Sequence, residues 1–523
     1  MLNPSIKLHL WCYAVPLALA AAMFLPGLWF PYWMHDAGLY AGVSLHLARE
    51  QPISEWGTLW NAGWPYFNKP PLGFWITALF VRCFGEATWV LRLPCVLAAM
   101  GCVALTVSIA RRLHGHTVAM IAGILLALCS EYFWRTSRFR LDFPHTLFML
   151  AAVRMCVEGV MLGRAGSLAR ARGWVLAAGV PVGLAMLVKP IFGVIALVLA
   201  GLWFVLVPAT ATGGTARPAR RLVRWIPASV LIAVGVAAPW HIVMAVRHGE
   251  VFTHQYFIKQ SVNRATGETF AAEPWWWYFQ HLWNNSDFTR GILGATPTSG
   301  FEAPTLLPLT LGTLLAMVWW GRRKRLAPRT CSAGGLLAQV WTFGLLLALS
   351  AFGDKRAWYM IPVFPGMAWI AALWIQRVVP RGGTRWLLRV AGPLSVVALV
   401  AVCIFQPRLE EDATPPPDLA AIDAFILAHP RAEFWAMTLH RYENAPIYIR
   451  TGIWPRSREQ LGTGQSAEPP PSAYLIYDLR VKTPRPDPRA TVLATAGKGR
   501  FVIVQALPTG PSTAPVPTGT LGP

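Results

Sequence analysis

The sequence predicts a polytopic, mainly α-helical membrane protein, and three observations support this fold class. The chain of 523 residues is 55% hydrophobic and only 13% charged, whereas an average soluble domain carries about 25% charged residues. Apolar runs of membrane-spanning length recur along the chain as far as residue 405. Basic residues are concentrated in alternate connections between these runs, which is the charge asymmetry of proteins that are inserted in a bilayer.

The first apolar run, at residues 11–30, is long enough to cross a hydrocarbon core about 30 Å thick. No small-residue cleavage site of the signal-peptide type ends it, so we expect it to remain as a transmembrane helix. Further apolar runs lie at about 92–110, 117–133, 143–162, 173–188, 190–208, 225–246, 304–320, 334–351, 357–376 and 386–405. The sequence therefore predicts about eleven transmembrane helices, and it shows no internal repeat of the solenoid kind.

The formal net charge of +22 would suggest nucleic-acid binding if the basic residues formed one patch, but they are distributed between loops. One set of loops is rich in arginine: Arg111, Arg112, Arg164, Arg170, Arg172, Arg217, Arg220, Arg221, Arg224, RRKR at 322–325, Arg377, Arg381, Arg385 and Arg389. The alternate set contains carboxylates: Asp36, Glu50, Glu55, Glu86, Glu131, Asp142, Glu250, Glu268, Glu273, Asp287, Glu302 and Asp354. The positive-inside rule then predicts a cytoplasmic N-terminus and an outer location for residues after about 406. We expect a lipid bilayer as the environment and no nucleic-acid partner.

Two outer connections are long, at 31–91 and 247–303. In the first, HDAGLYAGVSLHLARE at 35–50 has apolar residues at helical spacing, as in an amphipathic helix that lies in the membrane interface. The run LGFWITALFVRCFG at 72–85 is too short to span a bilayer reliably and favours a second interfacial helix. The second connection carries EPWWWYFQHLW at 273–283, an aromatic cluster typical of the headgroup level.

Residues 1–405 are interpreted as the membrane domain, and residues 406–507 as a small α/β domain on the outer side. In the latter, DLAAIDAFILA has a helical pattern, and AYLIY and FVIVQAL have the pattern of strands. Residues 508–523 are rich in Pro, Thr and Gly and are predicted to be disordered. All eight cysteines precede residue 404, so we expect no disulfide framework in the exported domain.

Several ionisable residues would lie near the outer surface: Asp36, Lys69, Arg135, Arg138, Arg140, Asp142 and Lys189. Charges at membrane depth are costly, so groups placed there usually pair or line a polar cavity. Spacing alone leaves other interpretations open. Both aspartates stand where a helix could begin, and both lysines could extend their ammonium groups to lipid headgroups. The three arginines either bind lipid phosphate or serve an anionic substrate.

The order of several short motifs resembles one known family. The motifs are HDAGLY (35–40), PYFNKPPLGFW (65–75), FGEATWVLRLP (84–94), RFRLDFPHTLF (138–148), LVKP (187–190), APWHIVM (238–244) and GDKRAWYMIPVFPGMA (353–368). Together they resemble the membrane glycosyltransferases of the aminoarabinose transferase type, a bacterial branch that is related to the protein O-mannosyltransferases and shares their GT-C fold. The resemblance covers roughly residues 10–405, and the first three motifs in this order are its most specific part.

The resemblance implies transfer of a sugar from a polyprenyl-phosphate carrier to a lipid A-like or other envelope acceptor at the periplasmic face of the inner membrane. It implies catalytic roles for two carboxylates, Asp36 and Asp142. It implies that the donor phosphate is bound by Lys69, Lys189, Arg138 and Arg264. It implies substrate contacts for Tyr40, Tyr66, Tyr359 and Lys355. The leaving phosphate would need fixed cations, and a carboxylate could accept the proton of an attacking hydroxyl.

The chain differs from the family where relatives would hold a divalent cation. The family commonly has glutamate at positions 37 and 68, where this chain has Ala37 and Asn68. Some relatives carry a histidine shortly before the arginine of the aromatic outer loop, where Gln260 and Ser261 precede Arg264. Amide and hydroxyl groups are poor zinc ligands, so no cofactor is predicted, and a divalent cation is left open although its usual ligand positions are replaced.

Two other classes of function fit parts of the sequence. A transporter or flippase of polyprenyl lipids or glycolipids would also have many spans and buried charge, but it usually has paired halves with broken helices at the bilayer midplane. Here the candidate charges are predicted at one face, and the outer loops are long. A structural or sensory membrane protein with an exported domain would need no aligned charges. The motif order favours the glycosyltransferase.

Overall fold

The computed structural model describes residues 4–29, 36–136, 138–190, 192–207, 216–268, 272–284, 333–378, 420–437, 447–457, 468–470, 472–479, 486–487, 490–496 and 501–505. The predicted spans at 304–320 and 386–405 and the predicted disordered tail at 508–523 lie outside these residues. The chain divides into two compact units. The first contains Met1–Leu59 and Tyr66–Thr414, and the second contains Trp60–Pro65 and Pro415–Pro523.

The regular secondary structure described in the first unit is helical. Its helices are α1 (Pro4–Phe24), α2 (Asp36–Glu50), α3 (Leu72–Phe84), α4 (Thr88–His114), α5 (His116–Ala127), α6 (Ser130–Thr136), α7 (Asp142–Arg164), α8 (Leu168–Ala177), α9 (Gly179–Met186), α10 (Ile195–Leu206), α11 (Ala216–Leu222), α12 (Ile226–Phe252), α13 (Asn263–Thr266), α14 (Trp277–Asn284), α15 (Ala333–Ser350) and α16 (Phe364–Val378). A π-helix, Thr253–Val262, joins α12 to α13.

Within the part of the chain that the structure describes, five helical stretches are long and apolar enough to cross a membrane. They are Leu10–Trp29, Thr88–His114, Asp142–Arg164, Ala219–Thr266 and Ala333–Ser350. Three shorter apolar helices accompany them, at Leu72–Phe84, His116–Ala127 and Phe192–Leu206. Helix α4 packs against α1, α5 and α7, and α15 packs against α10 and α16. The core of the unit consists of apolar side chains at these contacts, so packing between helices, as well as lipid, covers the apolar faces.

Three predicted spans differ in the structure. The run at 173–188 is divided into α8 and α9, because Pro181 has no N–H to donate and its ring is incompatible with an uninterrupted helix. The run at 117–133 is divided into α5 and α6. The run at 357–376 becomes an α-helix only at Phe364, since Ala357–Met360 forms a 3-10 turn.

Helix α2 exists as predicted, but its surroundings differ from the prediction. An amphipathic interfacial helix would bury one face, whereas the segment from Ala37 to Leu45 is buried on every side. The small residues Gly38, Ala41 and Gly42 make this compatible with close packing of the helix against α3. The helix is therefore part of the protein interior at this end of the bundle.

The predicted outer connection at 247–303 begins as a helix. Helix α12 reaches Phe252 with a kink at Gly249, whose φ of 47° is a non-helical conformation that glycine adopts at low cost. The π-helix then carries the chain to Val262. Farther along, Trp275 and Trp276 are exposed, as expected for an aromatic cluster at the headgroup level.

The second unit contains a mixed five-stranded sheet. Its strands are β3 (Phe434–Ala436), β4 (Arg456–Ser457), β5 (Tyr474–Asp478), β6 (Val492–Ala496) and β7 (Phe501–Gln505), in the spatial order β4-β3-β5-β7-β6. Strand β3 is parallel to β4 and β5, while β7 is antiparallel to β5 and β6. Helix α17 (Ala420–Ala428) buries Ile422 and Ile426 in the same apolar cluster as Phe434 and Ile476. The hairpin of β1 (Trp60–Asn61) and β2 (Trp64–Pro65) belongs to this unit.

Helices α9 and α12 approach each other through glycine. A Cβ atom added at Gly183 would lie 2.6 Å from Val236 Cβ and 2.7 Å from the carbonyl oxygen of Ala233. Gly179, one turn earlier, meets the carbonyl oxygen of Ser229 in the same way. Small residues four apart are the usual means by which membrane helices come into backbone contact.

We expect Gly183→Ala to destabilise the first unit by about 1–3 kcal/mol, because the added methyl group overpacks this contact. The matched control is Gly235→Ala on α12, where an added Cβ meets nothing within 4 Å. Thermal unfolding of the detergent-purified protein measures both. Equal melting temperatures for the two variants would contradict the proposed contact.

Candidate functional site

The motif around Lys69 is a loop whose backbone is held by two distant segments. Phe67 N–H donates to Gln255 Oε1 on the π-helix, at 3.1 Å. Leu72 N–H donates to the carbonyl oxygen of Leu187, at 2.9 Å. The second bond joins the loop of Lys69 directly to the turn of Lys189. The two lysines are therefore placed by backbone hydrogen bonds and not by side-chain reach alone.

Lys69 points toward the π-helix. Its Nζ donates to Gln260 Oε1 at 3.3 Å, and the side chain of Gln260 is buried. Burial, followed by the charges of Arg264 and Lys189, lowers the pKa of Lys69 well below its usual range, while Asp36 and Asp142 act in the opposite direction. Lys69 is thus a cation held near two other cations.

Asp142 and Lys189 form a largely buried ion pair. Lys189 Nζ lies 2.5 Å from Asp142 Oδ1, with side-chain exposures of 16% and 6%. Asp142 is the first residue of α7, where free N–H groups favour a negative charge. The helix-start interpretation of Asp142 is therefore confirmed, while its catalytic role stays a prediction. Lys189 also lies over the ring of Tyr359, 4.9 Å from its centre.

Arg264 is the third cation of this region. Its Nη1 donates to the hydroxyl oxygen of Tyr359 and lies 3.7 Å from Asp354 Oδ2. Backbone bonds from Gly353 and Asp354 N–H to the carbonyl oxygens of Ala265 and Arg264, both at 3.0 Å, attach the two segments to each other. Burial raises the pKa of Asp354 above its usual value, against the opposing charges of Arg264 and Arg356. Burial likewise raises the pKa of Tyr359 to about 12.

These groups surround one end of a cavity of about 420 Å³. Its polar lining residues are Lys69, Asp142, His145, Lys189, Gln260, Ser261, Arg264, Asp354 and Tyr359. The remaining lining residues are apolar: Pro190, Phe192, Val194, Ile195, Val198, Ala348, Leu349, Phe352 and Pro362. The cavity therefore combines a cationic end with an apolar wall contributed by α10 and α15. Such a site is suited to an anionic group attached to a hydrocarbon chain.

Asp36 lies beside this region without lining the cavity. Its Oδ2 is 3.9 Å from Arg140 Nη1, and its side chain is 26% exposed. Arg140 is buried and lies 4.6 Å from the ring centre of Trp358. The charge of Asp36 acts on Lys69 and on Tyr359, so the carboxylate is near both. Asp36 is thus the more accessible of the two predicted catalytic carboxylates.

Four other predicted residues lie outside the cavity lining. Tyr40 and Tyr66 are buried, and both contact Phe74 edge to face, with ring centres 5.6 and 6.0 Å away. Lys355 is buried, and its Nζ donates to the carbonyl oxygens of Glu273 and Phe352. The ammonium group of Lys355 therefore holds the chain here, and substrate contact by Lys355 stays a prediction. Arg138 is half-buried and is not among the described lining residues.

The structure adds four residues to the predicted set. His145 lies within the motif of Asp142, and Asp354 lies within the motif of Tyr359, so both stood in segments already singled out. Gln260 and Ser261 had drawn notice only as differences from the family. Their position in the cavity depends on the π-helix, which no pattern in the sequence indicated. Among the residues that the structure describes, no group of three or more His, Cys, Asp or Glu side chains is placed to hold a metal ion.

Replacing Asp142 by asparagine should destabilise the protein by about 3 kcal/mol, because the Lys189 ammonium would lose its partner in a buried site. The double variant Asp142→Asn/Lys189→Met should recover part of this loss, since no unpaired charge remains. Thermal unfolding in detergent distinguishes the two. A double variant that is less stable than the single variant would contradict an ion pair of this kind.

Comparison with known proteins agrees with the motifs. Residues 68–242 match the family model described as dolichyl-phosphate-mannose-protein mannosyltransferase. The chain is 28% identical over 404 residues to the undecaprenyl phosphate-alpha-4-amino-4-deoxy-L-arabinose arabinosyl transferase of Aeromonas hydrophila. This alignment covers 76% of this chain and 66% of that protein. A similar transferase from Edwardsiella ictaluri is matched over 59% of its length. The chain thus spans about three fifths to two thirds of the curated relatives that it matches.

Two solved structures share the fold. The crystal structure of ArnT from Cupriavidus metallidurans bound to undecaprenyl phosphate has a TM-score of 0.66 and 18% identity, and the match covers 98% of this chain and 100% of that one. The oligosaccharyltransferase of Archaeoglobus fulgidus in complex with Zn and sulfate has a TM-score of 0.50 and 12% identity, over 85% of this chain and 62% of that one. The chain is therefore a polytopic helical membrane protein of the GT-C type. The predicted resemblance is confirmed: in sequence and in fold, this chain resembles the aminoarabinose transferases, relatives of the protein mannosyltransferases.

Proposed function

We propose that this chain is a membrane glycosyltransferase that moves a sugar from a polyprenyl-phosphate carrier to a lipid A-like or other envelope acceptor. The observation that carries the proposal is the cavity in which three cations face an apolar wall. A polyprenyl phosphate has the same two parts, an anionic head and a long hydrocarbon chain. The names of the relatives, and the undecaprenyl phosphate bound to the solved ArnT, support the same donor class.

The proposed topology follows from the charge distribution of the sequence. In this proposal the chain has about eleven spans, a cytoplasmic N-terminus and a periplasmic domain at 406–507, and the cavity is used at the periplasmic face of the inner membrane. Residues 1–405 form the transferase domain in this proposal, and 508–523 form a flexible tail. The small domain lies on the same side as the acceptor.

In the proposed mechanism, Lys69, Lys189 and Arg264 bind the phosphate of the donor. The bond between the anomeric carbon and the phosphate oxygen breaks, and the carrier leaves as a phosphate monoester with added negative charge. Fixed cations in a site of low dielectric stabilise that charge as it develops. Arg264 offers a planar pair of donors, whereas the lysines act as compact charges. Tyr359 contacts two of these cations: Lys189 Nζ lies over its ring, and Arg264 donates a hydrogen bond to its hydroxyl oxygen.

The acceptor attacks the anomeric carbon from the face opposite the phosphate. If the acceptor is a hydroxyl, its oxygen forms the new bond and its proton passes to a carboxylate. Asp36 is proposed for this role, because its side chain is partly exposed and near the cations. An acceptor phosphate would need no base, and Asp36 would then orient the substrate. Asp142 is proposed to act through Lys189, which it positions.

We expect Asp36→Asn to abolish transfer while the protein still folds and inserts, because the change removes a proton acceptor and keeps the shape of the side chain. The test is mass spectrometry of envelope lipids and glycans from a host lacking this gene, complemented with the wild type or the variant. A sugar-sized mass restored by the wild type alone supports the proposal and names the acceptor. The control is Glu55→Gln, an exposed carboxylate of the same outer connection, which should restore the mass fully.

Normal transfer by Asp36→Asn would show that Asp36 is not catalytic. If the protein is well expressed and the donors are present, an absence of any glycan difference between wild type and empty vector would contradict the proposed transferase activity. That result would favour a transporter of unmodified lipid.

Donor binding should weaken as pH rises. The pKa of Lys69 is lowered, so its ammonium group is present below that pKa and is lost above it, and a neutral amine binds phosphate poorly. The measurement is the affinity of the purified protein for undecaprenyl phosphate at several pH values above about 7, where the phosphate, with a second pKa of about 6, is already doubly charged. Lys69→Arg should flatten the profile, because guanidinium stays charged. Parallel profiles for wild type and Lys69→Arg would assign the pH dependence to another group.

A further inference from the structure

A solved structure that shares the fold raises the question of a metal ion in this site. The archaeal oligosaccharyltransferase that shares the fold was solved with Zn and sulfate. Zinc in proteins is bound by cysteine, histidine or carboxylate side chains, and usually by at least three of them. The question for this chain is whether its own side chains form such a set around the cavity.

The residues at the family's ligand positions are neutral, and most are already engaged. Gln260 Oε1 accepts a hydrogen bond from Lys69 Nζ at 3.3 Å, and Ser261 Oγ donates to the carbonyl oxygen of Tyr256 at 3.4 Å. Asn68 is buried, and its Oδ1 has no hydrogen-bond partner among the described residues, but Asn68 does not line the cavity. A neutral amide oxygen is in any case a weak zinc ligand.

The carboxylates near the cavity are held by cations. Asp142 Oδ1 lies 2.5 Å from Lys189 Nζ, and Asp354 lies between Arg264 at 3.7 Å and Arg356 at 3.5 Å. His145 is the one described histidine of the lining; its Nδ1–H donates to the carbonyl oxygen of Ala185 at 3.1 Å, which leaves a single imidazole nitrogen. One nitrogen and two paired carboxylates do not make a metal site.

The positive charge of the cavity lining also disfavours binding of a divalent cation. Lys69, Lys189 and Arg264 face the cavity against two carboxylates. Like charges in a poorly solvated region repel strongly, and burial, followed by the two neighbouring cations, already lowers the pKa of Lys69. A divalent cation would add to this repulsion, whereas an anionic phosphate relieves it. The residues of this chain therefore do not fit a metal ion.

We infer that in this chain Gln260 takes the place of a metal ion as a ligand of the donor phosphate. Its carbonyl oxygen is used by Lys69, which fixes the orientation of the carboxamide. Among the described residues the amide nitrogen has no partner, and the side chain lines the cavity beside Arg264. An NH₂ group so placed donates to a phosphate oxygen while the same side chain holds Lys69 in position. The inference rests on the proposed polyprenyl-phosphate donor.

The π-helix explains how Gln260 reaches this position. Hydrogen bonds of a π-helix join residues five apart, so Gln255 and Gln260 come close to one turn apart along it. Gln255 accepts from Phe67 N–H and Gln260 accepts from Lys69 Nζ. Two glutamines at this spacing therefore hold the backbone and the side chain of the same loop. In an ordinary α-helix, residues five apart do not share a face.

The test is equilibrium binding of undecaprenyl phosphate to the purified full chain in lipid nanodiscs, with EDTA or with added ZnCl₂. Wild-type affinity should be equal in the two buffers. Gln260→Glu keeps the shape and the acceptor for Lys69 but removes the N–H donors, so affinity should fall at least about tenfold, the usual effect of losing a hydrogen bond to a charged group. Gln260→Ala should also bind more weakly, and Gln280→Ala, an exposed glutamine of α14, should bind as the wild type does.

The possible outcomes test the role of Gln260 and the proposed donor separately. Wild-type binding that is lost in EDTA and restored by zinc would overturn the inference while leaving the proposed donor intact. An unchanged affinity of Gln260→Glu for undecaprenyl phosphate would also overturn the inference. If the affinity falls, an unchanged melting temperature of that variant shows that a phosphate contact was lost and not the fold. Failure of the wild type to bind undecaprenyl phosphate in either buffer would overturn the proposed function, and the inference with it.

Discussion

Repulsion among Lys69, Lys189 and Arg264 is the constraint on which the arrangement of this site depends. Three cations around one cavity would not stay there unless neighbouring groups held them. Asp142 holds Lys189, Asp354 and Tyr359 hold Arg264, and Gln260 holds Lys69. Each partner belongs to a different segment from the cation that it binds. The site therefore fixes the mutual placement of α7, α13, the π-helix and the loops before α3 and α16. It also favours an anion that relieves the remaining repulsion.

The motifs divide into residues that act on a ligand and residues that shape the bundle. Arg92 is fully buried and donates to the carbonyl oxygen of Leu28, after the first helix. Glu86 pairs with Arg49 through two hydrogen bonds of 2.8 and 2.6 Å, which lowers the pKa of Glu86. The FGEATWVLRLP motif thus connects α4 to α1 and α2. Four of the motifs contribute described side chains to the cavity, namely PYFNKPPLGFW, RFRLDFPHTLF, LVKP and GDKRAWYMIPVFPGMA.

The separation of Asp36 from the cavity lining is consistent with the proposed chemistry. Carrier phosphate and acceptor must occupy opposite faces of the sugar, so the groups that serve them need not share a wall. The cations line the cavity, whereas Asp36 lies beside Arg140 and Trp358 with part of its side chain exposed. A donor head held by the cations would place its sugar between the two sets, within a region that the charge of Asp36 already influences.

The sequence by itself determined the membrane class, most of the helices and the identity of the main charged residues. Apolar runs and alternating basic loops report these directly, because the bilayer imposes length and charge on each segment separately. Tertiary structure decided which charges meet. The bond between Leu72 N–H and the Leu187 carbonyl oxygen brings together residues that are far apart in the chain, and no local pattern encodes it. The same holds for Gln260, whose place depends on a π-helix, and for Lys355, which carries a charge yet serves two backbone carbonyl oxygens. The periodicity of apolar residues reflects the environment of each segment separately. Contacts between charged residues of different segments form only when the helices pack.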